Sequence, residues 1–185
     1  MTKTAAAIVA ALALAAPALA REVAGVQFPD TVAAGGHELK LNGAGLRTKF
    51  FAKVYAGALY LVEPSGDAEA ILAADAPRRV RMVFLRDVDK AKILDTYREG
   101  FRNNSGGPAL EALLAKLDRI APALVDMKKG GEMVVTYVPG EGTTVAAAGG
   151  APVTVEGKDF ADAMFRNWLG ARPADGDLKK DLLGR

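Results

Sequence analysis

Between Phe50 and Val62 the chain carries apolar residues on both parities, with Phe51, Tyr55, Leu59 and Leu61 on one side and Phe50, Val54, Ala58, Tyr60 and Val62 on the other. A helix of that length would show a charged face, and a half-buried strand would alternate apolar with polar. A strand buried on both faces satisfies the pattern, and its aromatic and β-branched residues suit a pleated surface. The segment is read as a central strand around which the other elements must pack.

Just before it, Gly43-Ala44-Gly45-Leu46-Arg47 puts an arginine at the mouth of the strand, with the parity of Phe51 and Tyr55. A continuous strand points all three side chains to one face. Straight strand between Arg47 and Tyr55 nevertheless spans roughly 26 Å. The two can grip one small ligand only if the chain bends or turns between them. Otherwise Arg47 is an ordinary arginine at a strand end, solvated or paired with a carboxylate.

The N-terminus has a different character. Lys3, an apolar run from Ala5 to Ala16 and the small-residue site Ala18-Leu19-Ala20 form the pattern of a secretory signal peptide cleaved after Ala20. The run is shorter than a membrane span of about 20 residues, and no later stretch approaches that length. The expectation is an exported, periplasmic protein with no transmembrane segment, in which residues 21–185 form a single domain. A net charge of +2 suggests no nucleic-acid partner. With no cysteine in the chain, disulfides, thiol nucleophiles and zinc–thiolate sites are excluded.

The remaining segments supply the other layers. Gly35-Gly36 and the alternation of Leu39 and Leu41 predict a short strand pair that ends where Asn42-Gly43 turns the chain. His37, the one histidine, reads as a loop residue. Asp67 is placed to cap a short helix through Leu72. From Arg79 to Leu85 a strand buries Val80, Met82 and Phe84, while Arg78, Arg79 and Arg81 read as a solvated edge that resists mispairing. A helix capped by Asp87 or Asp89 carries Ile93, Leu94, Tyr97 and Phe101 at helical spacing and ends at Asn103-Asn104. A second helix starts at Pro108, with an apolar stripe running from Leu110 to Leu124. Strands over 132–138, 143–148 and 153–155 are joined by turns short enough for antiparallel hairpins. A helix over 158–169 directs Phe160, Met164, Phe165 and Trp168 to the core, and a last short helix covers 177–183. This order argues for an α+β fold with helices gathered on an antiparallel sheet.

Catalytic signatures are scarce. The sequence holds no Gly-x-Ser-x-Gly elbow, no phosphate-binding Gly-x-x-x-x-Gly-Lys loop, no dinucleotide fingerprint and no His-Glu-x-x-His helix. One histidine and no cysteine leave little for a triad or a transition metal. No cofactor and no metal are expected. Tyrosine, arginine, lysine and carboxylates remain, which can bind an anion or polarise a carbonyl.

Gly43-Ala44-Gly45-Leu46-Arg47, followed by Lys53-Val54-Tyr55-Ala56-Gly57-Ala58-Leu59-Tyr60-Leu61, resembles the chalcone isomerase superfamily. Leu85-Arg86-Asp87-Val88-Asp89 before a helix is similar to its fatty-acid-binding branch. Val155-Glu156-Gly157-Lys158, opening the helix that ends at Trp168-Leu169-Gly170, is a third match. The resemblance covers nearly all of residues 21–185 and is nearest to exported bacterial chalcone-isomerase-like proteins. It implies an open-faced β-sandwich, an antiparallel sheet with helices layered on it and a ligand cleft between them. In plant chalcone isomerases the matching arginine, here Arg47, helps cyclise a chalcone to a flavanone. The other site residues of those enzymes do not carry over: Tyr55 takes the place of a strand threonine, the helix tyrosine falls near Ile93, the helix asparagine near Gly100 and a late threonine near Gly150.

Ile93 and Gly150 offer no side-chain donor for polarising a carbonyl. An arginine with a tyrosine beside an apolar cleft is sufficient for a carboxylate. The expectation is a non-catalytic protein that binds a small amphipathic carboxylate such as a fatty acid, with Arg47 as anion clamp and Tyr55 as second donor. The alternatives are an isomerase (intramolecular lyase) acting on a conjugated ketone, and an envelope interaction protein whose cleft is filled by its own side chains.

Overall fold

The computed structural model describes residues 20–185, so the expected signal peptide lies, up to its last residue, outside the described residues. Strands β1 (Ala20–Val23) and β2 (Val26–Pro29) form a small hairpin of their own. Seven more make one antiparallel sheet ordered as in the chain: β3 (Thr31–Ala34), β4 (His37–Lys49), β5 (Ala52–Leu61), β6 (Arg78–Phe84), β7 (Glu132–Val138), β8 (Gly142–Ala147) and β9 (Val153–Val155). Helices α1 (Ala68–Ala73), α2 (Lys90–Asn104), α3 (Pro108–Asp118), α4 (Lys158–Leu169) and α5 (Gly176–Leu182) complete the α+β architecture.

Strand β5 is covered on both faces, as its composition requires. Tyr55, Leu59 and Leu61 join Val80, Met82 and Phe84 of β6 and Met133 and Val135 of β7 in the main core beneath α2, α3 and α4. Ala56, Ala58 and Tyr60 face the other way and pack with Leu39, Ala44 and Phe28 in a smaller core closed by β2. Asp67 caps α1 by accepting hydrogen bonds from the Glu69 and Ala70 amides at 3.0 and 3.1 Å.

The segment read as one strand from Phe50 differs in a consequential way. Phe50 and Phe51 form a two-residue turn between β4 and β5, with φ of 48° and 63°. Both values lie in the left-handed region, as a tight hairpin turn demands. This turn usually takes Asn or Gly, so a Phe-Phe pair gives no sequence signal for it. Asn42-Gly43 is conversely not a turn: β4 runs through it with a register shift between Leu41 and Gly43. The Asn42 side chain instead donates to the Leu182 and Ser65 carbonyls at 2.8 and 3.0 Å. A β-carbon at Gly43 would overlap the backbone carbonyl oxygens of Asp181 and Leu182, which is how α5 comes to lie directly on β4. His37 is exposed as expected but opens β4 rather than sitting in a loop.

The arginines of β6 do not form a solvated edge, because β6 lies between β5 and β7. Arg79 donates to Thr136 Oγ1 at 2.8 Å. Arg81 pairs with Glu132 at 2.7 Å and lies over the Phe28 ring. Arg78 is 1% exposed and paired with Asp162 of α4. Sequence patterning places these side chains on β6 but cannot supply the partners that arrive from later in the chain. The apolar stripe beginning at Leu110 is also divided, since α3 ends at Asp118 and a short 3-10 turn at Ala121–Ala123 carries the chain on.

Candidate functional site: a cavity between the sheet and helix α2

The β4–β5 turn reverses the chain so that Arg47 and Tyr55, remote along a straight strand, become direct cross-strand partners. The Arg47 guanidinium lies over the Tyr55 ring, 5.5 Å from its centroid. A register shift beside this pair leaves Val54 bulged out of the β4–β5 ladder, and its carbonyl accepts the Leu85 amide at 2.9 Å instead. Bulges re-aim side chains at sheet ends. Here the bulge accompanies the opening of a cavity of about 440 Å³ between the sheet and the helices.

Val54, Tyr55, Met82, Phe84 and Met133 line it from the sheet, and Val88, Ile93, Thr96 and Tyr97 from α2 and the segment leading into it. Trp168 and Asn167 of α4 close the inner end. The exposed lining residues are charged, with Lys49, Arg86 and Lys92 beside Asp87, Asp95 and Glu99, while Arg47 is half-buried. Several rim charges are already paired: Lys92 with Asp89, Asp87 with Lys128, and Asp95 with Arg98. Arg47 and Arg86 make no ion pair among the described residues.

Helix α2 starts after Asp89, although the carboxylate that accepts its first amide, from Lys90, comes from Asp126 at 2.9 Å. Asp89 itself turns to Lys92. Ile93 and Tyr97 are one helical turn apart and share a face. A phenol therefore lies four residues beyond Ile93, where the resemblance suggested that no donor would be found. Tyr97 is a cavity-lining residue that its helical spacing marked only as a core residue. Close approach of α2 and α4 is allowed by Gly100, where a β-carbon would overlap Asn167 Oδ1.

Three donors thus meet at one end of the cavity. Tyr55 Oη accepts a hydrogen bond from Trp168 Nε1 at 2.9 Å, which leaves its own proton available to another acceptor. Tyr97 Oη and Arg47 Nε are buried with no hydrogen-bond partner among the described residues. A buried polar atom without a partner is costly, and such atoms concentrate where a ligand or water completes the bonding. Gly150 lies in the β8–β9 turn and is not among the residues lining this cavity, so the late family position supplies no donor here. Among the described residues no cluster of His, Cys, Asp or Glu is placed to hold a metal ion.

Burial raises the Tyr55 pKa, opposed chiefly by the adjacent Arg47 charge. Burial also drives Tyr97 far above its ordinary value, reinforced by Tyr55 and opposed by Arg47. Tyr60 and Tyr137 are pushed up to about 12, mainly by burial. All four tyrosines therefore hold their protons more tightly folded than unfolded. The stability this confers is fully present below about pH 10, and is lost as pH rises from there through the folded-state values. Denaturant titrations at rising pH should show that loss. Tyr97→Phe should reduce its slope while leaving stability at pH 7 unchanged or slightly higher, because it removes an unpartnered hydroxyl. A steep fall in stability at pH 7 would show that the hydroxyl is satisfied in solution.

A curled antiparallel sheet with helices packed against it is the fold of chalcone isomerase-like proteins. The model of the chalcone isomerase-like family matches residues 20–184, and the chain belongs to that family. The crystal structure of a fatty-acid binding protein from Arabidopsis thaliana aligns with a TM-score of 0.62, covering 86% of this chain and 92% of that one at 17% identity. At that identity the likeness establishes the fold alone. No curated protein matches the chain by sequence. Among the described residues no helix is long and apolar enough to cross a membrane.

Proposed function

We propose that this protein binds a small amphipathic carboxylate, such as a fatty acid, without transforming it. Arg47 clamps the anion, the Tyr55 and Tyr97 hydroxyls donate to it, and the apolar lining receives the tail. The observation that carries the reading is an arginine with no ion pair, facing two phenols at the end of an apolar cavity of about 440 Å³. That volume falls within the range of small-molecule sites. A charge-assisted hydrogen bond from guanidinium to carboxylate is among the stronger polar contacts a protein makes. Raised phenol pKa values keep both tyrosines as donors and unsuited to serve as bases near neutral pH. The Arabidopsis protein of like fold is a fatty-acid binding protein, which agrees with this reading. Export to the periplasm, expected from the N-terminal sequence, is part of the proposal.

A second reading draws on the same three donors. Together they could polarise the carbonyl of a conjugated ketone, as an isomerase of this family would require. The interaction-protein reading gains less, since the cleft is open and not filled by its own side chains.

Native mass spectrometry of protein purified from the periplasm, followed by solvent extraction, tests the proposal. A bound acid should be released, and the chain should begin at Arg21. Arg47→Ala should weaken binding of a fluorescent fatty acid by about tenfold to a hundredfold, the cost of a hydrogen bond to a charged group. Its stability should fall by no more than about 1–2 kcal/mol, because Arg47 holds no ion pair and loses only its contact over the Tyr55 ring. Unchanged affinity in Arg47→Ala sinks the carboxylate reading. Loss of chalcone absorbance on incubation with the unmodified protein would favour the isomerase.

A further inference from the structure

We propose that the Phe50-Phe51 tip of the β4–β5 hairpin is a membrane-docking element that enters the surface of a bilayer carrying anionic phospholipids. The proposal stands whatever the cavity holds. Phe50 and Phe51 are 88% and 105% exposed, whereas Phe28, Phe84, Phe101, Phe160 and Phe165 are all buried. They also occupy the two turn positions that suit a bulky side chain least, both at positive φ. Neither the backbone nor contact with water favours phenylalanine there. Costly conformations of this kind persist where they serve a function, and an apolar phase that receives both rings supplies one.

The surrounding charge selects the phase. Lys49 and Lys53 flank the turn, and Arg86 follows the Leu85 amide that bonds to Val54. None of the three is paired with a carboxylate among the described residues. Of the nearby carboxylates, Asp175 is occupied by the Thr48, Asp177 and Leu178 amides, and Asp87 and Asp95 of the rim are paired with Lys128 and Arg98, which leaves Glu99 as the one rim carboxylate without an ion pair among the described residues. Aromatic rings at a tip with lysines behind them match the layering of an interface, acyl chains below and anionic headgroups above. A protein partner is the weaker fit. A stable protein interface takes about 800 Å² from each side, and two projecting rings present far less. Phe50 also lines the cavity, so docking would set the cavity mouth at the headgroup level.

Co-sedimentation of the purified protein with vesicles tests the assignment, using phosphatidylcholine alone and phosphatidylcholine mixed with phosphatidylglycerol in equal parts. Binding should be confined to the anionic vesicles and should weaken with salt. Replacing both rings with serine should reduce it by at least about tenfold, the loss expected when buried aromatic surface is withdrawn. Lys49→Glu combined with Lys53→Glu should also abolish it. Phe50→Asn combined with Phe51→Gly guards against misfolding, since it gives the turn its preferred residues: vesicle binding should fall while the Tm rises. Failure of the unmodified protein to bind anionic vesicles overturns the proposal, as does undiminished binding by both phenylalanine variants. Cross-linking of the tip to a protein, with no binding to lipid, overturns it in favour of a protein partner.

Discussion

Replacing Asp162 with alanine should cost the fold about 3–5 kcal/mol, the usual penalty for stripping a buried charge of its partner. Arg78 is the group left behind. Its guanidinium donates to the Ile71 and Ala74 carbonyls at 2.9 and 3.2 Å and lies 5.0 and 4.8 Å from the Tyr137 and Phe165 ring centroids. Burial pulls its pKa down, and Asp162 is the main group opposing that pull. Asp162 also accepts from Lys158 Nζ at 2.7 Å, and Lys158 donates in turn to the Leu72 carbonyl, so one carboxylate ties β6, α4 and the end of α1 together. Lys158 can turn to solvent when that carboxylate is lost, but Arg78 cannot. Arg78→Met should cost less, because removing the buried charge itself spares its desolvation. Urea midpoints for the two variants decide the matter. A loss under about 1 kcal/mol for Asp162→Ala would mean that the pair is worth no more than a surface salt bridge.

Trp168→Ala should cost about 3–5 kcal/mol as well, by cavity formation. The indole meets the Tyr97 and Phe165 rings edge-on with centroids 6.0 Å away in each case, and it donates to Tyr55. Trp168→Phe keeps much of the packing and removes the donor, for which about 1–3 kcal/mol is expected. The gap between the variants measures the packing that a phenyl ring restores, and the phenylalanine variant measures the lost hydrogen bond together with the smaller loss of ring volume. Equal losses would show that ring packing contributes little at this position. Trp168 is the one tryptophan of the chain, so its fluorescence in the unmodified protein should change when a ligand enters the cavity. A ligand that binds without changing it would sit at the rim.

Most of the architecture was legible because periodicity reports burial. Strands β6 to β9 and helix α4 fall where their apolar spacing puts them, within a residue or two. What escaped the sequence was long-range geometry. Arg47 and Tyr55 were visible as site candidates, but their pairing depended on a turn written as Phe-Phe, which carries none of the glycine or asparagine that marks such turns. The same ambiguity made Asn42-Gly43 look like a turn when the asparagine is a bracket for distant carbonyls. Tyr97 was hidden for another reason: helical spacing separates buried from exposed residues but not a core wall from a cavity wall. The partners of Arg78 lie 84 residues away at Asp162 and 7 residues away at Ile71, and no local pattern announces them.

The seating of α5 on β4 also fixes an order of events in synthesis. Asn42 and the Leu182 carbonyl it holds are separated by 140 residues, and contacts so distant in sequence form only after the intervening chain has been closed into place. As the ribosome delivers residues from the N-terminal end, the glycine-lined surface of β4 waits uncovered until α5 has been made. A nascent chain shorter than that should remain open to chaperones and proteases, and the finished hairpin should be protected from them only when its final helix arrives.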